Sequence, residues 1–156
     1  MKQLGDPTGK SLERLAQYVL SCMPGCRTVR RQRSSSTDYD IVCSMEGLEL
    51  DFRSELGRYF VCECKDWVCP ADFITMAKFC RVLESTKSRF GILFSREGIS
   101  GRAKTKAAKR EQLKVFHDRG MVIVVVDLHD LEKISEGSNF TTLLRSKYES
   151  VRLDLL

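Results

Sequence analysis

The stretch VCECKDW, residues 61–67, places a glutamate and a lysine two positions apart at the end of an apolar run, with cysteines on either side of the glutamate. Successive side chains of an extended strand point to opposite faces. Tyr59, Val61, Glu63 and Lys65 therefore share one face, and Phe60, Cys62 and Cys64 share the other. A carboxylate removed from water without a partner is expensive, so Glu63 and Lys65 need mutual pairing or a metal at this place. The two together suit hydrolysis. The carboxylate can hold a divalent ion, and the ammonium can stabilise negative charge developing on a phosphate. Such a site requires a second acidic ligand. Asp40 opens the run YDIVCSM, where hairpin pairing would bring it beside Glu63. Asp38 lies two residues earlier, and Asp51 sits in an irregular segment. Both remain competitors for the same place.

The elements that would position these residues can be followed along the chain. SLERLAQYVLSC, residues 11–22, spaces Leu12, Leu15, Ala16, Val19 and Leu20 as on a helix, with Ser11 as N-cap and Pro24-Gly25 beyond its end. Residues 26–33 and YDIVCSM are expected as strands, LELDFRSELG is ambiguous, and RYFVCECK, residues 58–65, is a strand rich in aromatic and β-branched residues. These three strands suggest an antiparallel meander. ADFITMAKFCRVLES then predicts a partly buried helix with Phe73, Ile74, Ala77, Cys80, Val82 and Leu83 on its inner face. FGILFS follows as a buried strand, residues from about 100 to 117 as a basic helix, and MVIVVVD as a central strand covered on both faces. Residues 128–134 and 140–151 read as closing helices. The order is α-β-β-β-α-β-α-β-α. It implies an α/β fold with a central mixed sheet flanked by helices, because a helix between strands permits a parallel crossover.

Asp40, a gap, and then Glu63-Cys64-Lys65 resemble the motif of the PD-(D/E)XK nuclease superfamily. The order of elements is similar to its restriction-endonuclease-like core over nearly the whole chain. The nearest resemblance is to Mrr-like restriction endonuclease domains, with Glu13 in the first helix, Asp40 before Ile41-Val42, and Glu63 with Lys65. FGILFSREGISGRAKTKAAK also resembles that group, with Ser95 and Ser100 at the small hydroxyl positions. Tyr39 stands where the motif's name has proline, and no matching glutamine follows in the helix after Lys65. The resemblance implies hydrolysis of DNA phosphodiesters with Mg2+, or with Mn2+ in its place. Asp40, Glu63 and the Cys64 backbone carbonyl would hold the ion, and Lys65 would assist the attacking water. Glu13 would orient water or bind a second ion, although a carboxylate in a first helical turn is also favoured by the helix dipole alone. A role in bacterial antiviral defence is a further implication, as is a homodimer or an associated specificity or regulatory subunit. The rival readings are a non-catalytic nucleic-acid-binding or interaction domain of the same fold, and a nuclease that cleaves RNA.

The 156 residues fit one domain, residues 1–156, and the net charge of +5 arises from 26 basic and 21 acidic residues, which does not by itself declare a nucleic-acid binder. Distribution says more than the total. Arg102, Lys106, Lys109 and Arg110 recur on one face of the basic helix and are candidates for phosphate contacts. The apolar runs are too short to span a bilayer, and the N-terminus lacks the apolar core of a signal peptide. The seven cysteines are therefore expected to be reduced, in the cytoplasm. Cys62, Cys64 and Cys69, spaced C-x-C-x4-C, could be taken with His117 or His129 for zinc thiolates, but alternation sends the first two into the core. Buried free thiols are expected there, and also at Cys22, Cys43 and Cys80. GDPTGKS imitates a phosphate-binding loop with the wrong glycine spacing and no preceding strand. Trp67 is expected to serve packing.

Overall fold

The computed structural model describes residues 9–30, 39–46, 52–100 and 107–155. Its strands form one five-stranded sheet in the order β1-β2-β3-β4-β5. β1 (Cys26–Arg30), β2 (Ile41–Met45) and β3 (Tyr59–Lys65) make the antiparallel meander, while β4 (Phe90–Ser95) and β5 (Val122–Val126) extend it in parallel. α1 (Lys10–Ser21) precedes the meander, and the short α2 (Phe52–Glu55) lies within the ambiguous segment between β2 and β3. α3 (Phe73–Thr86) and α4 (Ala107–Arg119) are the crossovers before β4 and β5, followed by α5 (Leu128–Ser135) and α6 (Phe140–Arg152). The molecule is α/β, a mixed sheet flanked by helices. Among the described residues no helix is long and apolar enough to cross a membrane.

Each face of the sheet carries its own apolar layer. On one, Phe60, Cys62, Ile92 and Val124 pack against Leu12, Ala16, Val19 and Leu20 of α1 and against Phe140, Leu144 and Tyr148 of α6. On the other, Val61, Leu93 and Ile123 meet Met76, Phe79 and Leu83 of α3 and Val115 of α4. The alternation expected along β3 is therefore realised, with odd and even positions feeding opposite layers.

Four local expectations differ. α1 begins at Lys10 behind Gly9, which takes φ +67°, so Ser11 lies inside the helix and is not its N-cap. Phe73 and Ile74 are exposed, while Cys80 and Leu83 are buried as expected and Thr75, Met76 and Phe79 complete the buried face of α3. Asp72 caps that helix by accepting from the Thr75 backbone N–H at 2.9 Å, which sets Phe73 and Ile74 in its first turn, turned to solvent. β5 ends the strand order and is not central. Its continuous apolarity reflects helices on both faces, which says nothing about how many neighbours a strand has. Cys22 is exposed just past the end of α1, while Cys43 and Cys80 are buried as expected.

β4 is buried along its whole length, and α3 crosses it closely enough that Gly91 has no room for a side chain. A Cβ at that position would stand 2.8 Å from both Leu83 Cδ2 and Phe79 Cζ. Gly91→Ala is expected to lower stability by about 1–3 kcal/mol through overpacking, measurable as a lower urea midpoint with an unchanged slope.

Candidate active site

β2 begins at Ile41, opposite Cys62, so the antiparallel ladder ends while β3 still has three residues to run. The Cys64 N–H consequently has no backbone partner on that side. Asp40 supplies one, its Oδ2 accepting from Cys64 N at 2.7 Å, while the Asp40 N–H donates to the Cys62 carbonyl at 3.2 Å. The two contacts straddle Glu63. Of the three aspartates weighed from the sequence, Asp40 is thus fixed beside the glutamate, whereas Asp38 and Asp51 lie outside the described residues.

Glu63 and Lys65 form a direct ion pair, with side chains 16 % and 24 % exposed. The Lys65 ammonium also lies over the Trp67 ring, 5.3 Å from its centroid. Pairing and cation–π attraction together hold the ammonium at the strand end in a partly desolvated place, where both are stronger than in water. Trp67 itself is 45 % exposed, so it does not serve the core.

Glu13 lies in the first turn of α1, half-buried, and its charge reaches the strand end. The Cys64 thiol is pushed well above its ordinary value, first by burial and then by the negative charges of Asp40, Glu13 and Glu63, with Lys65 opposing them. The charges of all three carboxylates therefore reach Cys64. The thiols themselves look inward. Cys62 is fully buried and raised chiefly by burial, and the Cys26 thiol is raised by its hydrogen bond with Cys43 and then by its own burial. Cys69 is exposed on the following loop. Among the described residues no three His, Cys, Asp or Glu side chains are gathered so as to hold a metal ion. A zinc-thiolate reading of C-x-C-x4-C finds no support in this geometry.

The loops that follow β3 and β4 are knitted together at this end of the sheet. Arg96 N donates to the Lys65 carbonyl at 3.2 Å, Ala71 N to Gly98 at 2.9 Å, Ser100 N to Ala71 at 2.9 Å, and Leu128 N to Arg96 at 3.2 Å. The buried Ser95 hydroxyl closes the turn by donating to the Gly98 carbonyl at 2.8 Å, and Gly98 takes φ +67°, which only glycine adopts cheaply. Sequence reasoning missed one member of this framework. Arg96 donates through Nε to the Trp67 carbonyl at 3.3 Å and lies 3.5 Å from the buried carboxylate of Asp66. The available signal was the charge of Asp66 directly after a strand, which demanded a cation nearby.

α4 carries the chain from the end of β4 back to the start of β5, so its first turn stands at the same end of the sheet as Lys65. Lys109, half-buried, and Arg110, exposed, belong to that turn. Arg102 and Lys106 lie outside the described residues. No family model matches the chain, and no curated protein matches it.

Two outcomes check this geometry. Asp40→Ala leaves the Cys64 N–H without its acceptor and is expected to cost about 1–3 kcal/mol in urea denaturation, whereas Asp40→Asn keeps an acceptor and recovers most of the loss. A thiol reagent applied to the native protein at pH 8 is expected to label Cys22 and Cys69 within minutes, with Cys43, Cys62 and Cys64 labelled only after unfolding. Peptide mapping by mass spectrometry reads the pattern.

Proposed function

We propose that this chain is a magnesium-dependent endonuclease of the PD-(D/E)XK type, with a restriction-endonuclease-like core, that hydrolyses DNA phosphodiester bonds. The observation that carries the reading is the Asp40 carboxylate bound to the Cys64 amide, directly beside the Glu63–Lys65 pair. The donors fit the ion. Mg2+ takes hard oxygen ligands, commonly one or two carboxylates with substrate phosphate and water completing the shell, so Asp40, Glu63 and the Cys64 carbonyl suffice. When bound, the ion supplies positive charge to the phosphate and acidifies water.

The chain's own groups account for the remaining work. Asp40 would hold the ion against the strand end, its position set by the Cys64 N–H. Glu63 would exchange part of its interaction with Lys65 for the ion, leaving the ammonium to orient the attacking water and stabilise charge on the phosphate. Glu13, approaching from the α1 layer, would orient water. Lys109 and Arg110, with Arg102 and Lys106, would grip phosphates without reading sequence. Cutting both strands requires two such sites, hence a homodimer or an associated subunit, and a single nuclease unit of this kind suits an effector in bacterial defence.

One observation favours a second reading, a non-catalytic nucleic-acid-binding domain of the same fold: Glu63 already has a counter-ion in Lys65. Supercoiled plasmid and single-stranded RNA, each incubated with Mg2+, Mn2+ or chelator, separate the alternatives. Plasmid nicking is expected with metal and absent with chelator. Glu63→Ala and Lys65→Ala are each expected to reduce it at least ~100-fold without loss of fold by circular dichroism. Nicking unchanged in both variants would show that the site is elsewhere. Cleavage of RNA alone would reassign the substrate, and binding without cleavage under every metal would favour the second reading.

A further inference from the structure

Trp67, against the Lys65 ammonium, opens a segment that presents a run of apolar side chains to solvent. Trp67 is 45 % exposed, Val68 85 %, Phe73 46 % and Ile74 59 %, all within the β3–α3 connection and the first turn of α3. Nothing local requires this. A first helical turn ordinarily carries polar or acidic residues, and Asp72 alone satisfies the cap. The connection is held in place, since Arg96 bonds the Trp67 carbonyl and Ala71 is bonded both to Gly98 and to Ser100.

We propose that this surface is a stacking platform for unpaired nucleobases, adjoining the site of phosphodiester cleavage. The inference deepens the nuclease reading and rests on it for the identification of the ligand as nucleic acid. Three observations favour a base as the occupant. Trp67 is joined to the reacting end of β3 by the Lys65 ammonium on its ring, 5.3 Å from the centroid, so a base stacked on its exposed surface would belong to the strand whose phosphate faces Lys65. The apolar run also continues into positive charge. Ile74, Lys78 and Arg81, four and three residues apart, lie along one exposed stripe of α3, which offers bases an apolar surface and phosphates a basic one. Finally, four partly exposed side chains fall well short of the roughly 800 Å² that each partner buries in a standard protein interface. A nucleobase needs far less area. Because every base has a π-face, such a platform selects unpaired strands over intact duplex and does not select sequence.

Trp67 is the only tryptophan of the chain, so its fluorescence reports the platform directly. The full chain, in chelator so that nothing is cleaved, is titrated with an oligothymidylate, an oligouridylate and a duplex of equal length. The proposal expects saturable quenching by one or both single strands and little by duplex. A response to thymidylate alone would mark the occupant as a DNA strand, and an equal response would mark it as any unpaired strand. Trp67→Ala and Phe73→Ala are each expected to weaken single-strand binding about tenfold by fluorescence anisotropy, with Trp67→Phe recovering most of the loss. If Trp67→Ala fails to fold, Phe73→Ala and Ile74→Asp carry the same test. Single strands that bind without changing the emission would overturn the proposal, as would variants that bind like the parent. Emission that depends on protein concentration without nucleic acid would also overturn it, by showing the surface covered by a second copy. Quenching without cleavage under any metal would keep the platform and remove the nuclease reading. Cleavage without quenching would do the reverse.

Discussion

The arrangement depends on one hydrogen bond, that between the Cys64 N–H and the Asp40 carboxylate. β2 stops pairing at Ile41 while β3 continues to Lys65, and a backbone donor left in a partly buried strand end costs free energy unless something accepts from it. Asp40 answers that need with a charged acceptor, so a carboxylate is anchored against the end of β3 from the residue just before β2. The same mismatch in strand length leaves Glu63 and Lys65 projecting past the meander, where they are neither core nor free surface. A structural requirement and a chemical opportunity therefore coincide in one bond.

What surrounds that bond keeps it in place. On one side α1 packs its apolar stripe onto the layer containing Cys62 and brings Glu13 to the strand end. On the other, α3 and α4 cover Val61, Leu93 and Ile123 and leave Glu63 and Lys65 at the rim. The loops beyond β3 and β4 are tied to each other by backbone hydrogen bonds and by Arg96, which joins Trp67 and Asp66. If the site is a nuclease as proposed, groups preorganised in this way would need little rearrangement to meet developing charge. The ion pair between Glu63 and Lys65 works in the opposite direction, since each group already satisfies the other.

The parts legible in the sequence were those governed by strict periodicity. Alternation along RYFVCECK assigned the cysteines inward and the Glu–Lys pair to the rim, and the position of Asp40 at a strand start made it the first choice among three aspartates. The element order, with its switch from meander to helical crossovers, was legible for the same reason. What was misread depended on contacts made elsewhere. Phe73 and Ile74 follow a helical apolar pattern, but the Asp72 cap sets the rotation of α3 and turns them outward. The run MVIVVVD records coverage of both faces by helices, whereas its place in the sheet is decided by pairing. Arg96 could not be linked to Asp66 from spacing alone, because the parallel register of β3 and β4 is what brings residues 30 apart together.

On the nuclease proposal, Asp40 and Glu63 together hold a divalent ion at the end of β3. Crystals of the full chain soaked in Mn2+ and measured near the manganese absorption edge test it without reference to turnover. One anomalous peak is expected within about 2–2.5 Å of carboxylate oxygens from both residues, lost in Asp40→Asn. A fully occupied peak elsewhere on the chain, with the Glu63–Lys65 pair left intact, would contradict it.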